Sequence, residues 1–345
     1  MKLKFWRQDL RLAHTWTIAR GSVNEGQVVM VELTDDAGNS GIGESAPIER
    51  YHESVDTVEA FCRQVQAARL SFADVPGTMA YLDTVAPGNM AAKCAINIAL
   101  LDGAAKRAEK PIYDFLGLGF REQHHVTSFS IGIDKPDVIR QKVLAAEKYP
   151  VLKLKIGVPE EKAILAALRE VAPDKPVRVD ANEGWRTKEE ALDRLEWLAA
   201  DGRIQFVEQP MPASTDPKDL VWLKERSPML LFADEAYHVA EDVAHCAECY
   251  HGVNVKLAKT GGVSGGFDAL SAARKLGLKT MIGCMLETSV LISAAGHLAE
   301  LCDYLDIDGN LLITNDPYLG VTADKGILSF ASAPEKTGLR VRLRN

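Results

Sequence analysis

Between Lys155 and Lys256 the chain repeats one unit at a nearly constant step, and that step limits the possible folds more than any other feature. Short apolar runs end each time in a charged residue: VLKLKIG with Lys153 and Lys155, PVRVDAN with Asp180, IQFVEQP with Glu208, MLLFADE with Asp234 and GVNVKLA with Lys256. From 155 to 180, 208, 234 and 256 the steps are 25, 28, 26 and 22 residues. A strand, a helix and two loops use about that much chain, so each step reads as one βα unit. Charges at successive strand ends are what a barrel presents on its C-terminal rim.

Three more runs extend the series: TSFSIGI (127–133), KTMIGCM (279–285) and YLDIDG (304–309). Amphipathic stretches such as Pro159 to Val171 and Lys188 to Ala200 separate the runs. The spacing therefore predicts an α/β fold, a (β/α)7β TIM-like barrel over 125–315. A doubly wound open sheet is the alternative, but charges on five successive strands fit a closed ring better. Residues 1–120 read differently. VVMVEL (28–33), a turn at Asp35 to Asn39 and the run Ser40 to Glu44 predict a hairpin, followed by helices over Ser54 to Arg69 and Met90 to Arg107. This is an α+β capping domain, and the short alternating segments of the tail, 316–345, are expected to rejoin it.

A net charge of −8 argues against nucleic acid or an anionic membrane as partner. Six scattered cysteines, at 62, 94, 246, 249, 284 and 302, form no dense framework and indicate a reducing compartment. MKLKFWRQDLRLAHTW lacks a continuous apolar core, so no signal peptide is expected and the cytoplasm is the predicted location.

Strand counting gives the chemistry. Lys155 on the second barrel strand and Lys256 on the sixth stand opposite one another, with Asp180, Glu208 and Asp234 on the arc between them. Three converging carboxylates suit a hard cation, and an all-oxygen set favours Mg²⁺. A proton α to a carboxylate is weakly acidic, and a cation on that carboxylate offsets the charge that builds as the proton leaves. A lysine can take the proton if burial, the cation and a second ammonium lower its pKa, and Lys153 projects to the same face as Lys155. A base on each face points to racemisation or epimerisation, although a one-base reaction fits the same parts. Asp306-x-Asp308 on the eighth strand would meet the far end of the substrate, and two carboxylates there call for a cation such as an α-ammonium. A turn at Asp308-Gly309 with Asp306 as a cap is the alternative for that pair.

These residues resemble the enolase superfamily, in its muconate-lactonising subgroup. The matching segments are K-L-K-I-G (153–157), V-D-A-N (179–182), V-E-Q-P (207–210), A-D-E (233–235) and N-V-K-L-A-K-T-G-G (254–262), with G-I-G-E-S-A-P (41–47) similar to the capping domain. Within the subgroup, D-x-D on the last strand resembles the dipeptide epimerases. The resemblance implies Asp180, Glu208 and Asp234 as Mg²⁺ ligands, Lys155 and Lys256 as the acid/base pair, and Lys153 as support for the enolate and for Lys155. It implies that Asp306 and Asp308 hold the substrate's ammonium. Arg20 occupies the place of an arginine that pairs with the glutamate side chain in L-Ala-D/L-Glu epimerases. Loops around Arg20 and Tyr51-His52 are expected to close over a dipeptide, in a protein expected to be a homo-oligomer.

Other signals point elsewhere and carry less. KTGGVSGG (259–266) lacks the Walker spacing and reads as the turn after the sixth strand. Cys246-x-x-Cys249, beside His245 and His251, has no second ligand pair and reads as a barrel helix rather than a zinc site. Trp185 is expected to pack at the rim. Competing functions are another subgroup activity, such as an o-succinylbenzoate synthase, an N-acylamino-acid racemase or a cycloisomerase, and a non-catalytic binding barrel; among the dipeptide epimerases the alternative to Ala-Glu is a hydrophobic or cationic dipeptide. The first group lacks a free ammonium for Asp306-x-Asp308, and the second has no need of three lysines.

Overall fold

KLKFWRQDLRLAHTWTI alternates side chains that face solvent with ones that face inward, and it forms β1 (Lys2–Ile18). A two-residue turn at Ala19-Arg20 leads into β2 (Gly21–Thr34), which pairs antiparallel with β1 and with β3 (Ser40–Ser45). The computed structural model describes residues 1–344. The hairpin expected at 28–44 is thus two strands of a three-stranded sheet, whose first strand escapes notice because lysines and arginines break its apolar pattern. The helix expected over 54–69 stops at Gln64, and α1 (Val55–Gln64) is followed by a separate α2 (Val75–Val85).

Against the sheet lies α3 (Met90–Arg107), rich in alanine and buried along nearly its whole length. Helix and strand approach closely because β3 carries Gly41 and Gly43. A Cβ on Gly43 would stand 1.9 Å from the Ala95 carbonyl oxygen, where no rotamer change can relieve it. Gly43→Ala is therefore expected to destabilise the protein by about 3 kcal/mol, read from the denaturant midpoint at unchanged m-value.

The barrel strands are β4 (Phe129–Ile131), β5 (Leu152–Lys155), β6 (Val177–Asp180), β7 (Ile204–Glu208), β8 (Leu231–Ala233), β9 (Gly252–Lys256), β10 (Lys279–Gly283) and β11 (Tyr304–Asp306). They hydrogen-bond in chain order, all parallel. A parallel bridge between Thr127 and Leu305, with the Ser128 amide donating to the Leu305 carbonyl at 3.1 Å, closes the ring. Helices lie between each pair of consecutive strands and, among the described residues, none follows β11 except a single 3-10 turn, so the barrel is (β/α)7β. No described helix is long and apolar enough to cross a membrane.

Among the contacts that join the sheet-and-helix layer to the barrel, two lie at α3 and β3. Asn97 of α3 accepts from the Ser264 amide and donates to its hydroxyl, and a Cβ on Gly262 would meet Asn97 Oδ1 at 2.6 Å. Gly261 and Gly262 of KTGGVSGG thus make room for α3. The second contact is Glu44 at the end of β3, which accepts from the Thr288 amide, the Thr288 hydroxyl and the Leu291 amide. The tail touches both layers: the Leu339 amide donates to Asp102 of α3, and Ile327 bridges to Val126.

Burial holds the Glu44 carboxyl up at about 7, despite those three donors. A carboxyl raised on folding binds a proton that the unfolded chain gives up near 4.5. Its stabilising contribution is complete below that pH and is lost as pH rises through about 7. Glu44→Gln removes this dependence. The variant's stability relative to the parent should improve by about 2–3 kcal/mol between pH 5 and pH 8, measured by urea unfolding at each pH.

Candidate active site

Strand register brings the rim charges into one layer. Lys155 lies beside Asp180, Asp180 beside Glu208, Lys256 beside Gly283, and Gly283 beside Asp306. Asp234 follows the last residue of β8. Lys155 and Lys256 sit four strands apart in a ring of eight, at the two ends of the carboxylate arc.

The lysines grip that arc. Lys155 Nζ donates to Asp180 Oδ2 at 2.6 Å, and Lys256 Nζ to Asp234 Oδ2 at 2.8 Å. Lys153, almost wholly buried, lies 2.7 Å from Glu208, 2.5 Å from Asp306 and 3.4 Å from Asp180. A fourth ammonium, Lys259, donates to Asp234 Oδ1 at 2.7 Å. Burial works to lower Lys256, but Asp234, Tyr51 and Glu208 override it and hold the ammonium above the usual lysine range. At Lys256 the lowering expected from burial is therefore outweighed while Asp234 is its partner. Burial likewise works to raise Asp180 and Asp234. Lys155 and Lys153 reverse that at Asp180, and Lys256 and Lys259 at Asp234, so both carboxyls are held below the ordinary range.

Glu208 is the exception. Burial and the neighbouring Asp180 push its carboxyl up to about 8. Its Oε1 accepts from Asn254 Nδ2 at 2.8 Å, while its buried Oε2 accepts no hydrogen bond, Lys153 lying off the bonding axis. One carboxylate oxygen from each of Asp180, Glu208 and Asp234 falls within 4.8 Å of the other two. A buried all-oxygen trio, with one carboxylate oxygen that meets an ammonium but accepts no hydrogen bond, fits a hard divalent cation. Cys246 and Cys249 lie on the helix Val243–Cys249, with Cys249 Sγ 3.8 Å from His245 Nδ1.

Asp306 is the last residue of β11, and Asp308 lies beyond the strand, at the start of the 3-10 turn Gly309–Leu311. Asp306 is held internally by Lys153 and the Ser128 hydroxyl, and its carboxyl is lowered to about 2. The Asp308 carboxylate accepts from the Ser130 amide at 2.6 Å, while burial and Asp306 raise it to about 7. Both border a cavity of about 250 Å³ that also reaches Lys153, Lys155 and Lys256. Trp16, Ile18 and Arg20 of the β1–β2 hairpin line it from above. Tyr51 packs edge-on against His238, with ring centroids 4.9 Å apart. Trp185 is buried and donates to Glu161 at 3.1 Å.

Asn254, Lys259, Ser128, Ser130 and Gln209 belong to the site although the sequence reading passed over them. Gln209 Oε1 accepts from the amides of Asp234 and Ala236, fixing the strand end that carries Asp234. Period-two counting back from Lys256 reaches Asn254, and the two serines alternate along TSFSIG. Lys259 gave no such signal, because it lies on the short helix Leu257–Thr260 after β9.

A closed barrel whose rim holds three buried carboxylates between opposed lysines, lidded by an N-terminal sheet and helices, defines a capped-barrel acid–base enzyme. The chain belongs to the mandelate racemase/muconate lactonizing enzyme family of the enolase superfamily. Residues 4–117 match the N-terminal domain of that family, and residues 138–326 match the domain described as enolase C-terminal domain-like. It is 68% identical, over the full length of both chains, to an L-Ala-D/L-amino acid epimerase of Pedosphaera parvula. It is 37% identical to an L-Ala-D/L-Glu epimerase of Bacteroides thetaiotaomicron, over 97% of this chain and 86% of that one. Among solved structures, the dipeptide epimerase of Enterococcus faecalis complexed with Mg and L-Leu-L-Tyr superposes with a TM-score of 0.89 at 28% identity, covering 99% and 98% of the two chains.

Proposed function

We propose that this protein is a Mg²⁺-dependent dipeptide epimerase that inverts the α-carbon of the C-terminal residue, with L-Ala-D/L-Glu among its substrates. The observation that carries this reading is the placement of Lys155 and Lys256 at the two ends of one buried carboxylate arc. Asp180, Glu208 and Asp234 would hold the cation, which when bound offsets the charge that develops on the substrate carboxylate. Lys155 and Lys256 serve as bases only when Asp180 and Asp234 no longer hold their ammonium groups. One lysine then removes the α-proton from its face and the other delivers a proton to the opposite face. The C–H bond is remade with inverted configuration. Lys153 keeps a fixed positive charge beside Lys155 and supports the enolate. Residues 1–120 with the tail 316–345 act as the cap, and 125–315 as the catalytic barrel. The names of the Pedosphaera and Bacteroides relatives support an N-terminal L-alanine. A library of dipeptides incubated in D₂O tests the reading, since every substrate must gain one mass unit. A library that gains none overturns it.

The ammonium site has its own test. Asp306 is already engaged by Lys153 and Ser128, so Asp308 is the carboxylate with more to offer an incoming cation. Asp308→Asn should raise KM for L-Ala-L-Glu by about 10- to 100-fold, the worth of one charge-assisted hydrogen bond. N-acetyl-L-Ala-L-Glu, which has no ammonium, should be turned over equally poorly by parent and variant. Equal KM values for the free dipeptide would remove Asp308 from substrate binding.

A further inference from the structure

Arg20, the cap's cation at the mouth of the cavity, does not face it as a free charge. Its Nη1 is 2.7 Å from Glu235 Oε1 and 3.3 Å from Glu183 Oε2, and it donates to the Asn182 carbonyl at 3.1 Å. Glu183 has a second cation: Arg50 donates to it through Nε at 3.1 Å and Nη2 at 2.9 Å. The barrel loop is shaped to present this carboxylate. Asn182 and Glu183 both adopt left-handed backbone, at φ 44° and 66°, a conformation held in non-glycine residues only when the surroundings demand it. The Ala213 amide fixes Glu183 Oε1 at 2.8 Å. Apart from Arg20, the cap side of the cavity is apolar, with Trp16, Ile18 and Val23.

Resting on the reading as a dipeptide epimerase, we infer that Glu183 and Glu235 set the side-chain specificity by neutralising Arg20. A neutral C-terminal side chain meets a satisfied ion pair and an apolar wall, so no unpaired cation is buried when it binds. An acidic side chain reaches the same guanidinium only in competition with two carboxylates that repel it. The substrate class is therefore L-Ala dipeptides with uncharged C-terminal residues alongside glutamate, rather than glutamate alone.

The test is kcat/KM for L-Ala-L-Glu and L-Ala-L-Leu, measured side by side on the parent protein and on Glu183→Gln, Glu183→Asp and Arg50→Gln. Removing one counter-charge should raise the Glu-to-Leu ratio about tenfold in Glu183→Gln. Glu183→Asp, which keeps the charge, should return the ratio toward that of the parent. Arg50→Gln loosens the same loop but leaves both carboxylates on Arg20, so it should hold the ratio or lower it. Glu183→Ala carries the same expectation as the glutamine variant should that one not fold. If Glu183→Gln slows both dipeptides equally, or if Arg50→Gln raises the ratio as well, Glu183 merely holds the cap and the inference is overturned. If the parent inverts other dipeptides but neither of these, this inference alone falls; if it inverts none, the epimerase reading falls with it.

Discussion

Lys256→Ala is expected to stop inversion while leaving one enantiomer of the C-terminal residue able to exchange its α-proton with solvent. A positioned acid or base contributes about 10²- to 10⁴-fold, so interconversion of L-Ala-L-Glu and L-Ala-D-Glu should fall by at least that much. Lys155 remains on its own side of the arc, 2.6 Å from Asp180, and can still remove and return a proton on its face. Lys155→Ala should show the mirror behaviour, exchanging only the other enantiomer. Chiral chromatography measures inversion, and proton NMR in D₂O measures exchange for each enantiomer separately. Exchange of both enantiomers at parental rates in either variant would rule out two bases. Loss of all exchange in only one variant would point to one-base chemistry.

The second large effect concerns the cation. Chelation should abolish turnover, and restoring Mg²⁺ should recover it. Binding should also stabilise the fold by about 2.7 kcal/mol at a free concentration near 100 times Kd, because the trio is assembled only in the folded barrel. Asp234→Asn removes a carboxylate that now answers two ammonium groups, Lys256 and Lys259. It should weaken Mg²⁺ affinity about 10- to 100-fold and reduce the Mg²⁺-dependent rise in Tm at fixed concentration. Full activity in the presence of excess chelator would make the carboxylates structural. An unchanged Mg²⁺-dependent Tm shift in Asp234→Asn would remove that residue from the ligand set.

Much of this is legible in the chain because barrel strands are local events. Each is a short run such as VRVD or GVNVK, buried on both faces, and parallel pairing in chain order puts the residue that ends each run on the same rim. Asp180, Glu208, Asp234, Lys155 and Lys256 converge for that reason alone. β1 was missed because its outward face is charged, and α2 because Pro76 and Gly77 in its first turn look like a loop.

What the sequence by itself determined, then, is the barrel, the identity of its rim charges and the chemistry those charges allow. Only the tertiary structure decided which charge holds which. Four lysines meet four carboxylates, Asp306 included, and the choice that gives Asp234 two ammonium groups and leaves Glu208 Oε2 without a hydrogen bond depends on sub-ångström placement that no spacing records. The same holds for Arg20, whose partners lie 163 and 215 residues away on two different barrel loops. Strand position follows from local patterning, whereas ion pairing falls off steeply with distance and is set only when distant segments pack together.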